Sequence, residues 1–253
     1  MITRRIAPCL LLSGRKLVKT VKFDSPKYVG DPINAVKIFN DKEVDEIMIL
    51  DIDASLNGSA PQFDYLKEVV SESFVPITYG GGITNLEQID KLLQLGIEKV
   101  SLNSVNSLGL DLISKAAAKH GSQSIIGAVD VKKNLLGQNK VYYKNKKYKT
   151  HYDLDTYVQE IEKAGAGEVL INFVDRDGTY KGYDFDLIKR ISAQLSVPTV
   201  YLGGASSEQD FAKAFELGAS AVCAGSLFVF HGPHRAVLIN YPDRKTIEKI
   251  IFQ

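Results

Sequence analysis

The stretch VPITYGGGITNLEQIDKLLQLGIEKVSLNS, residues 75–104, occurs a second time in this chain in altered form. Residues 197–226, VPTVYLGGASSEQDFAKAFELGASAVCAGS, align with it without a gap. At the same offset, Glu46 in EIMILDIDAS aligns with Glu168 in EVLINFVDRD. Each copy contains an apolar run, a glycine cluster, an amphipathic segment and a second apolar run. A match of this length predicts two homologous halves.

Apolar runs of strand length recur along the rest of the chain, and several of the amphipathic segments between them end in glycine, a helix-stop signal. Strict alternation of strand and helix predicts a parallel sheet with covering helices, and eight strands close such a sheet into a barrel. The predicted strands are 6–12, 46–51, 75–79, 99–103, 124–130, 168–174, 199–203 and 219–225. We therefore predict an α/β fold, a (β/α)8 TIM barrel with two-fold half-barrel duplication. It forms one domain over 1–253, with half-barrels of about 1–120 and 121–253. The alternative, an open doubly wound sheet, is disfavoured by the duplication.

The composition is that of an ordinary soluble globular protein, with 45% hydrophobic and 24% charged residues. The formal net charge is +1, so no global field attracts nucleic acid or an acidic membrane, and any anion site must be local. No apolar stretch reaches the roughly 18 residues of a transmembrane helix, and we expect a cytoplasmic protein. The two cysteines, Cys9 and Cys223, lie in apolar runs and are expected to be buried and reduced.

The duplicated glycine clusters are the strongest functional signal. Glycine lets a backbone approach an anion closely and offer its N–H groups, and the following helix N-terminus adds a favourable dipole. Plain turn glycines are the alternative, but the same two loops recur at matched positions. Two phosphate sites at one barrel mouth imply a long substrate with a phosphate at each end. The candidate phosphate-binding residues are Gly81, Gly82, Asn103, Ser104, Asp177, Gly178, Gly203, Gly204, Gly225, Ser226 and Lys19, the last placed in a loop after the first strand.

Two of the predicted strands have an aspartate as their last residue. Asp130 ends the fifth strand and Asp51 the second, where such groups perform acid–base chemistry, fix substrate hydroxyls or cap loops. His231 and His234 lack the spacing of two metal ligands on one helix face, so we expect neither a metal nor another cofactor. The Lys- and Tyr-rich segment 131–152 predicts a β-hairpin over the active face, either solvated or in contact with substrate.

Several motifs resemble the cyclase subunit of imidazole glycerol phosphate synthase from Arg5 to about Phe230. They are RIAPCL, GDP at 30–32, LDIDAS, GGGI, EKVSLNS, AVD, GAGEVLINFVDRDGTYKGYD and GGA. The resemblance implies a two-fold barrel that partners a glutaminase. Ammonia from the glutaminase would cross the barrel core and react with a doubly phosphorylated ribulosyl compound. Asp130 matches one of two catalytic aspartates. The ammonia gate would be Arg5, Glu46, Lys99 and Glu168, and the inner path would pass Thr78 and Ser101.

The chain departs from this pattern at the second catalytic aspartate, because Leu11 in APCLLLSG occupies that position. A leucine cannot exchange a proton, and acid–base steps contribute ~10²–10⁴ in rate. Asp51 could compensate only by reaching across from another strand. The C-terminal run LFVFHGPHRAVLINYPDRKTIEKIIFQ resembles a branch linked to acetamidino-sugar (surface polysaccharide) biosynthesis. In that branch, a cyclase-like barrel and a glutaminase supply ammonia to a separate sugar amidotransferase.

Three functions follow, in order of preference. The first is a barrel subunit that conducts ammonia for amidination of a nucleotide-linked sugar, supported by Leu11 and the gate residues. The second is a cyclase forming imidazole glycerol phosphate, supported by Asp130 and the phosphate loops. The third is a sugar-phosphate isomerase of the sister barrel family, which would also need a carboxylate on the first strand and would not need the gate.

Overall fold

The computed structural model describes residues 4–232 and 234–251. Its strands are β1 (Arg5–Ser13), β2 (Lys16–Val21), β3 (Asp24–Gly30), β4 (Ile47–Asp51), β5 (Ile77–Gly80), β6 (Lys99–Leu102), β7 (Ile125–Lys133), β8 (Asn139–Tyr142), β9 (Glu168–Phe173), β10 (Thr199–Leu202), β11 (Ala221–Ala224), β12 (Phe230–His231) and β13 (Ala236–Val237). Its α-helices are α1 (Pro32–Asp41), α2 (Ala54–Asn57), α3 (Phe63–Ser71), α4 (Leu86–Gln94), α5 (Asp111–His120), α6 (Leu154–Lys163), α7 (Phe185–Ser192), α8 (Glu208–Glu216), α9 (Ser226–Val229) and α10 (Arg244–Ile251).

Eight parallel strands form a closed barrel. They follow the order β1, β4, β5, β6, β7, β9, β10 and β11, and β11 pairs with β1 to complete the ring. Helices alternate with these strands, so the (β/α)8 prediction is confirmed. The open-sheet alternative is wrong, because β1 has a parallel neighbour on both sides.

Two strands of the barrel extend beyond the others, and an antiparallel strand pairs with each extension. β2 runs back along β1, with Leu11 opposite Val18, and β8 runs back along β7, with Asp130 opposite Tyr142. The hairpin predicted in 131–152 is therefore present. The placement of Lys19 in a loop was wrong, since residues 16–21 pair as a strand and Lys19 is buried.

Helix starts follow local side-chain chemistry. Asn85 precedes α4 and accepts a hydrogen bond from the Gln88 N–H, while Asp153 precedes α6 and accepts from the Thr156 N–H. The apolar faces of the helices cover the outside of the barrel. None of the helices among residues 4–232 and 234–251 has the length and apolarity that a membrane crossing requires.

A second, smaller apolar cluster fills the barrel interior. Most of its members are small or unbranched, and together they form an apolar layer between the two ends of the barrel. The cluster contains Ala7, Cys9, Met48, Ile126, Ala128, Leu170, Val200, Leu202, Ala221 and Cys223. This layer separates the polar groups at the amino ends of the strands from those at the carboxyl ends.

Candidate active site

An open cavity lies at the carboxyl ends of the barrel strands and encloses about 1410 Å³, counted out to the solvent at its mouth. All eleven candidate phosphate-binding residues line it, as do Asp51, Asp130 and Leu11. The duplicated loops after β5 and β6 and those after β10 and β11 therefore face one shared space. This is the end of the barrel at which (β/α)8 enzymes hold their substrates.

Close backbone packing requires glycine at the ends of β5 and β10. Gly81 has φ +128° and Gly203 has φ +100°, values that favour glycine. A Cβ would lie 2.5 Å from the Asp51 carbonyl oxygen at Gly81 and 2.8 Å from the Phe173 carbonyl oxygen at Gly203. Asp51 and Phe173 are themselves partners in the sequence duplication. The repeated glycines thus have a structural cause, and their contact with phosphate stays a prediction.

Lys19 brings a buried amine to the loop after β11. The residue is only 4% exposed, and its Nζ donates a hydrogen bond to the Cys9 carbonyl oxygen. A Cβ on Gly225 would lie 2.6 Å from that Nζ. Burial lowers the pKa of Lys19, while Cys9 and Asp177 act in the opposite direction. Glycine at 225 therefore leaves room for the lysine beside the candidate phosphate loop.

Asp177 lines the cavity but is engaged with the protein. Its carboxylate accepts hydrogen bonds from Thr20 Oγ1 at 2.7 Å and from the Phe23 N–H at 3.2 Å, and its own N–H donates to the Phe173 carbonyl oxygen. Burial raises its pKa, against the effect of the bond from Thr20. A carboxylate also repels phosphate. Asp177 is therefore better placed to fix the β2–β3 turn against the barrel than to bind phosphate itself.

Asp130 ends the barrel portion of β7 between two amide side chains. Asn103 Nδ2 donates to its Oδ2 at 2.8 Å, and Asn172 Nδ2 donates to its Oδ1 at 3.2 Å. Burial raises the pKa of Asp130 to about 7; the two amides lower it and Asp177 raises it further. A carboxyl group with this pKa can give or take a proton near neutral pH.

Asn172 is a site residue that the sequence reasoning missed. It is buried at the end of β9, lines the cavity, and its Oδ1 has no hydrogen-bond partner among the described residues. A buried amide oxygen left unpaired is costly, so a donor from a bound molecule would stabilise it. An asparagine at the end of the apolar run EVLINF was the signal available in the sequence.

Strand register places Leu11 at the position on β1 that Asp130 holds on β7. Leu11 is opposite Leu50 on β4, and Asp130 is opposite Asn172 on β9. Leu50 and Asn172 are partners in the sequence duplication, so the two pairs are equivalent. One half of the cavity floor therefore carries a carboxyl with an amide, and the other carries two leucines.

Asp51, the possible replacement for the missing aspartate, lines the cavity and has one carboxylate oxygen engaged by backbone N–H groups, so its catalytic role stays a prediction. Its Oδ1 accepts hydrogen bonds from the Asp53 and Ala54 N–H groups, both at 3.0 Å, which fixes the carboxylate at the start of α2. Burial raises its pKa, and those two bonds lower it. Asp53 in turn accepts from Ser13 Oγ at 2.6 Å. These carboxylates organise the loop after β4.

Four charged side chains form a closed ring at the opposite end of the barrel. Arg5 contacts Glu46 at 2.9 Å and Glu168 at 2.8 Å, and Lys99 contacts Glu46 at 3.4 Å and Glu168 at 2.9 Å. Burial lowers the pKa of Arg5, but the two carboxylates outweigh it and the net shift is upward. The two cations and two anions balance, and the ring covers the amino end of the barrel interior.

Thr78 and Ser101 lie inside the barrel and are 1% and 5% exposed. Thr78 is opposite Lys99 in the β5–β6 ladder, next to the ring, and Ser101 lines the cavity at the other end. The described residues contain no cluster of three or more His, Cys, Asp or Glu side chains that could hold a metal ion.

Comparison with known proteins gives one consistent family. The family described as histidine biosynthesis protein matches residues 5–234. A protein of Pseudomonas aeruginosa, provisionally named imidazole glycerol phosphate synthase subunit hisF2, is 50% identical over 244 residues, covering 96% of this chain and 97% of its own. A Leptospira interrogans protein, provisionally named subunit HisF of the same synthase, is 43% identical over 254 residues and all of both chains. The HisF subunit of Dictyoglomus thermophilum is 40% identical over 230 residues, 91% of each chain.

Proposed function

The chain belongs to the histidine biosynthesis protein family, among the HisF-type cyclase subunits of imidazole glycerol phosphate synthase, and we propose that it conducts ammonia rather than catalysing efficient cyclisation. A glutaminase at the amino end of the barrel would release the ammonia. The acceptor would be a nucleotide-linked sugar, amidinated by a separate sugar amidotransferase in surface polysaccharide biosynthesis. Glutamine and nucleotide-linked sugars are cytoplasmic metabolites, so the proposed complex acts in the cytoplasm.

Leu11 is the observation that carries this proposal. It faces the cavity at the position equivalent to Asp130, beside Leu50, and the nearest carboxylate on β4, that of Asp51, is bound to backbone N–H groups. Of the two equivalent strand positions, only that of Asp130 carries a carboxyl group, where the family's chemistry uses two. The expected loss in cyclisation rate is ~10²–10⁴.

The two ends of the barrel support a path for ammonia. The ring of Arg5, Glu46, Lys99 and Glu168 satisfies its own charges when closed, and it can open without leaving a net charge behind. Glu168 and Asn172 are the two ends of the inner part of β9, about 13 Å apart at ~3.3 Å per residue. Between them lie the apolar side chains of the interior cluster, half of them alanine or cysteine, together with Thr78 and Ser101.

Restoring the missing carboxylate tests the proposal. The ribulosyl substrate and an ammonium salt are supplied to wild type, to Leu11→Asp and to Leu11→Asn as the uncharged control. We expect wild type and Leu11→Asn to be slow and Leu11→Asp to be faster by up to ~10²–10⁴. A wild-type rate equal to that of Leu11→Asp would remove the main support for ammonia conduction as the primary role.

Reversing the charges of one pair tests the gate. The double variant Lys99→Glu with Glu46→Lys keeps the net charge of the ring but alters its geometry, because Glu46 contacts Arg5 as well. We expect glutaminase binding to survive, transfer of glutamine-derived ammonia to fall, and reactions fed with ammonium salt to be unchanged. If both glutaminase binding and transfer survive, the gate assignment is wrong.

A second candidate is the cyclase reaction itself, forming imidazole glycerol phosphate and aminoimidazole carboxamide ribotide. The environment of Asp130 favours it: the carboxyl has a pKa of about 7, and the neighbouring Asn172 Oδ1 is open to a donor from a bound molecule. In that case Lys19, buried at the same cavity, would contact a phosphorylated substrate. The Leu11→Asp comparison separates the two candidates, because a true cyclase gains little from the added carboxylate.

A further inference from the structure

The hairpin segment, residues 131–152, concentrates positive charge. It contains seven lysines and no acidic residue, in a chain whose formal net charge is +1. Lys140, Lys146 and Lys149 are exposed, and no ion pair within the described part of the chain involves them. Such a concentration of one sign attracts an acidic surface and steers its approach.

The tip of the hairpin segment presents two leucines to solvent in a fixed turn. Leu135 is fully exposed and Leu136 is 82% exposed. Asn134 organises the turn: its Oδ1 accepts from the Leu136 and Gln138 N–H groups, both at 3.0 Å, and its backbone accepts from Gly137. The Asn134 Nδ2 also donates to Gln138 Oε1 at 3.0 Å. An ordered turn loses little entropy when its leucines enter a pocket on a partner.

The hairpin segment also borders the cavity. Lys144 and Asn145 line the cavity mouth, and the Lys144 ammonium donates to the Phe23 carbonyl oxygen across it. Whatever binds the hairpin segment is therefore positioned over the point where a path through the barrel emerges. A lipid surface there would cover the cavity mouth but would not consume ammonia, whereas an enzyme could place its own active site over the mouth.

We propose that the hairpin segment docks the ammonia-consuming enzyme, through an acidic surface that contains an apolar pocket for Leu135 and Leu136. This inference rests on the proposed function and adds the surface and the chemistry of the partner. Association seals the cavity mouth against the partner, so that ammonia passes between the two proteins without loss to solvent.

The test measures binding of this chain, in complex with its glutaminase, to the purified sugar amidotransferase of the same cell by sedimentation velocity. Leu135→Ser with Leu136→Ser is expected to weaken binding by about tenfold or more per leucine. Ile38→Ser, at an exposed residue of α1 outside the hairpin segment, is the control and should leave binding unchanged. Lys140→Glu with Lys149→Glu should slow association and reduce its salt dependence, while Lys67→Glu with Lys115→Glu, on α3 and α5, should not.

Each outcome supports or overturns a separate claim. If the leucine and lysine variants bind the amidotransferase as tightly as wild type does, the hairpin segment is not the docking surface. Ammonia conduction would not be affected by that result. No wild-type binding, and no glutamine-dependent amidination, overturns both. Tighter binding to vesicles of equal parts phosphatidylcholine and phosphatidylglycerol than to the amidotransferase assigns the surface to a membrane and overturns the inference. Glutamine hydrolysis by the complex, measured alongside, confirms that every variant is folded at the opposite end of the barrel.

Discussion

The ring of four charges predicts a strong coupling between two of its members. Lys99→Met keeps the length of the side chain but removes the contacts with Glu168 at 2.9 Å and Glu46 at 3.4 Å. Arg5 is then left to balance two carboxylates whose side chains are only 4% and 10% exposed. Leaving a buried charge uncompensated costs about 3–5 kcal/mol, and we expect Lys99→Met to lower the free energy of unfolding by about 3 kcal/mol because Arg5 partly compensates.

Glu168→Gln makes the opposite change. It removes the carboxylate that contacts Arg5 at 2.8 Å and Lys99 at 2.9 Å, and leaves two cations facing Glu46 alone. The expected loss is again about 3 kcal/mol. In the double variant, Arg5 and Glu46 remain as one neutral pair at 2.9 Å. Its loss should therefore be smaller than the sum of the two single losses by about 2 kcal/mol.

Urea unfolding at pH 7 measures the four free energies of the cycle. With a slope of about 3 kcal/mol per molar urea, each single variant should shift the midpoint by about 1 M, and the double variant by clearly less than twice that. Additivity within about 0.5 kcal/mol would refute the reasoning, since it would mean that the charges do not act as one ring.

Two further predictions concern the cavity. Gly203→Ala should lower the free energy of unfolding by about 2 kcal/mol or more, because φ is +100° and the Cβ would lie 2.8 Å from the Phe173 carbonyl oxygen. Gly225→Ala should lower the free energy of unfolding by less, about 1 kcal/mol, since φ is −105°, which any residue adopts, and the close contact is with a side-chain atom, the Lys19 Nζ, which would have to shift; equal losses in thermal unfolding would contradict this. The pKa of Asp130, raised from 3.8 to about 7, means that the folded state binds more protons than the unfolded state between those values. Stability should therefore fall by up to roughly 4 kcal/mol as pH rises from about 4 to about 7, and Asp130→Asn should flatten that slope; a wild-type stability that is constant over this range would show that Asp130 is not desolvated.

The sequence predicted the eight barrel strands to within one or two residues at most ends. It succeeded because strand and helix periodicities depend on near neighbours in the chain. It did not predict that residues 16–21 form a strand, and so misplaced Lys19 in a loop. That strand exists because β1 extends beyond the barrel and offers an edge, which is a property of the folded sheet.

The sequence predicted some residues of the site and missed others, again because contacts between distant parts of the chain leave no local pattern. The duplication pointed to both pairs of loops, and all of the candidate phosphate-binding residues do line one cavity. Asn172 was missed, because an asparagine in an apolar strand has no distinguishing pattern until its amide is seen beside Asp130. The hydrogen bonds that engage Asp177 come from Thr20 and Phe23, far away in the chain, and no local pattern shows them.

The sequence by itself determined the barrel, the repeated segments and the leucine at position 11 where the family pattern has an aspartate, because each depends on the order of residues along the chain. Only the tertiary structure decided which side chains meet. Strand register sets Leu11 beside Leu50 at the position equivalent to Asp130 beside Asn172. Closure of the barrel brings Arg5, Glu46, Lys99 and Glu168 into one ring from four parts of the chain. Charge balance and proton transfer act over a few ångströms, and those distances exist only after the strands have paired.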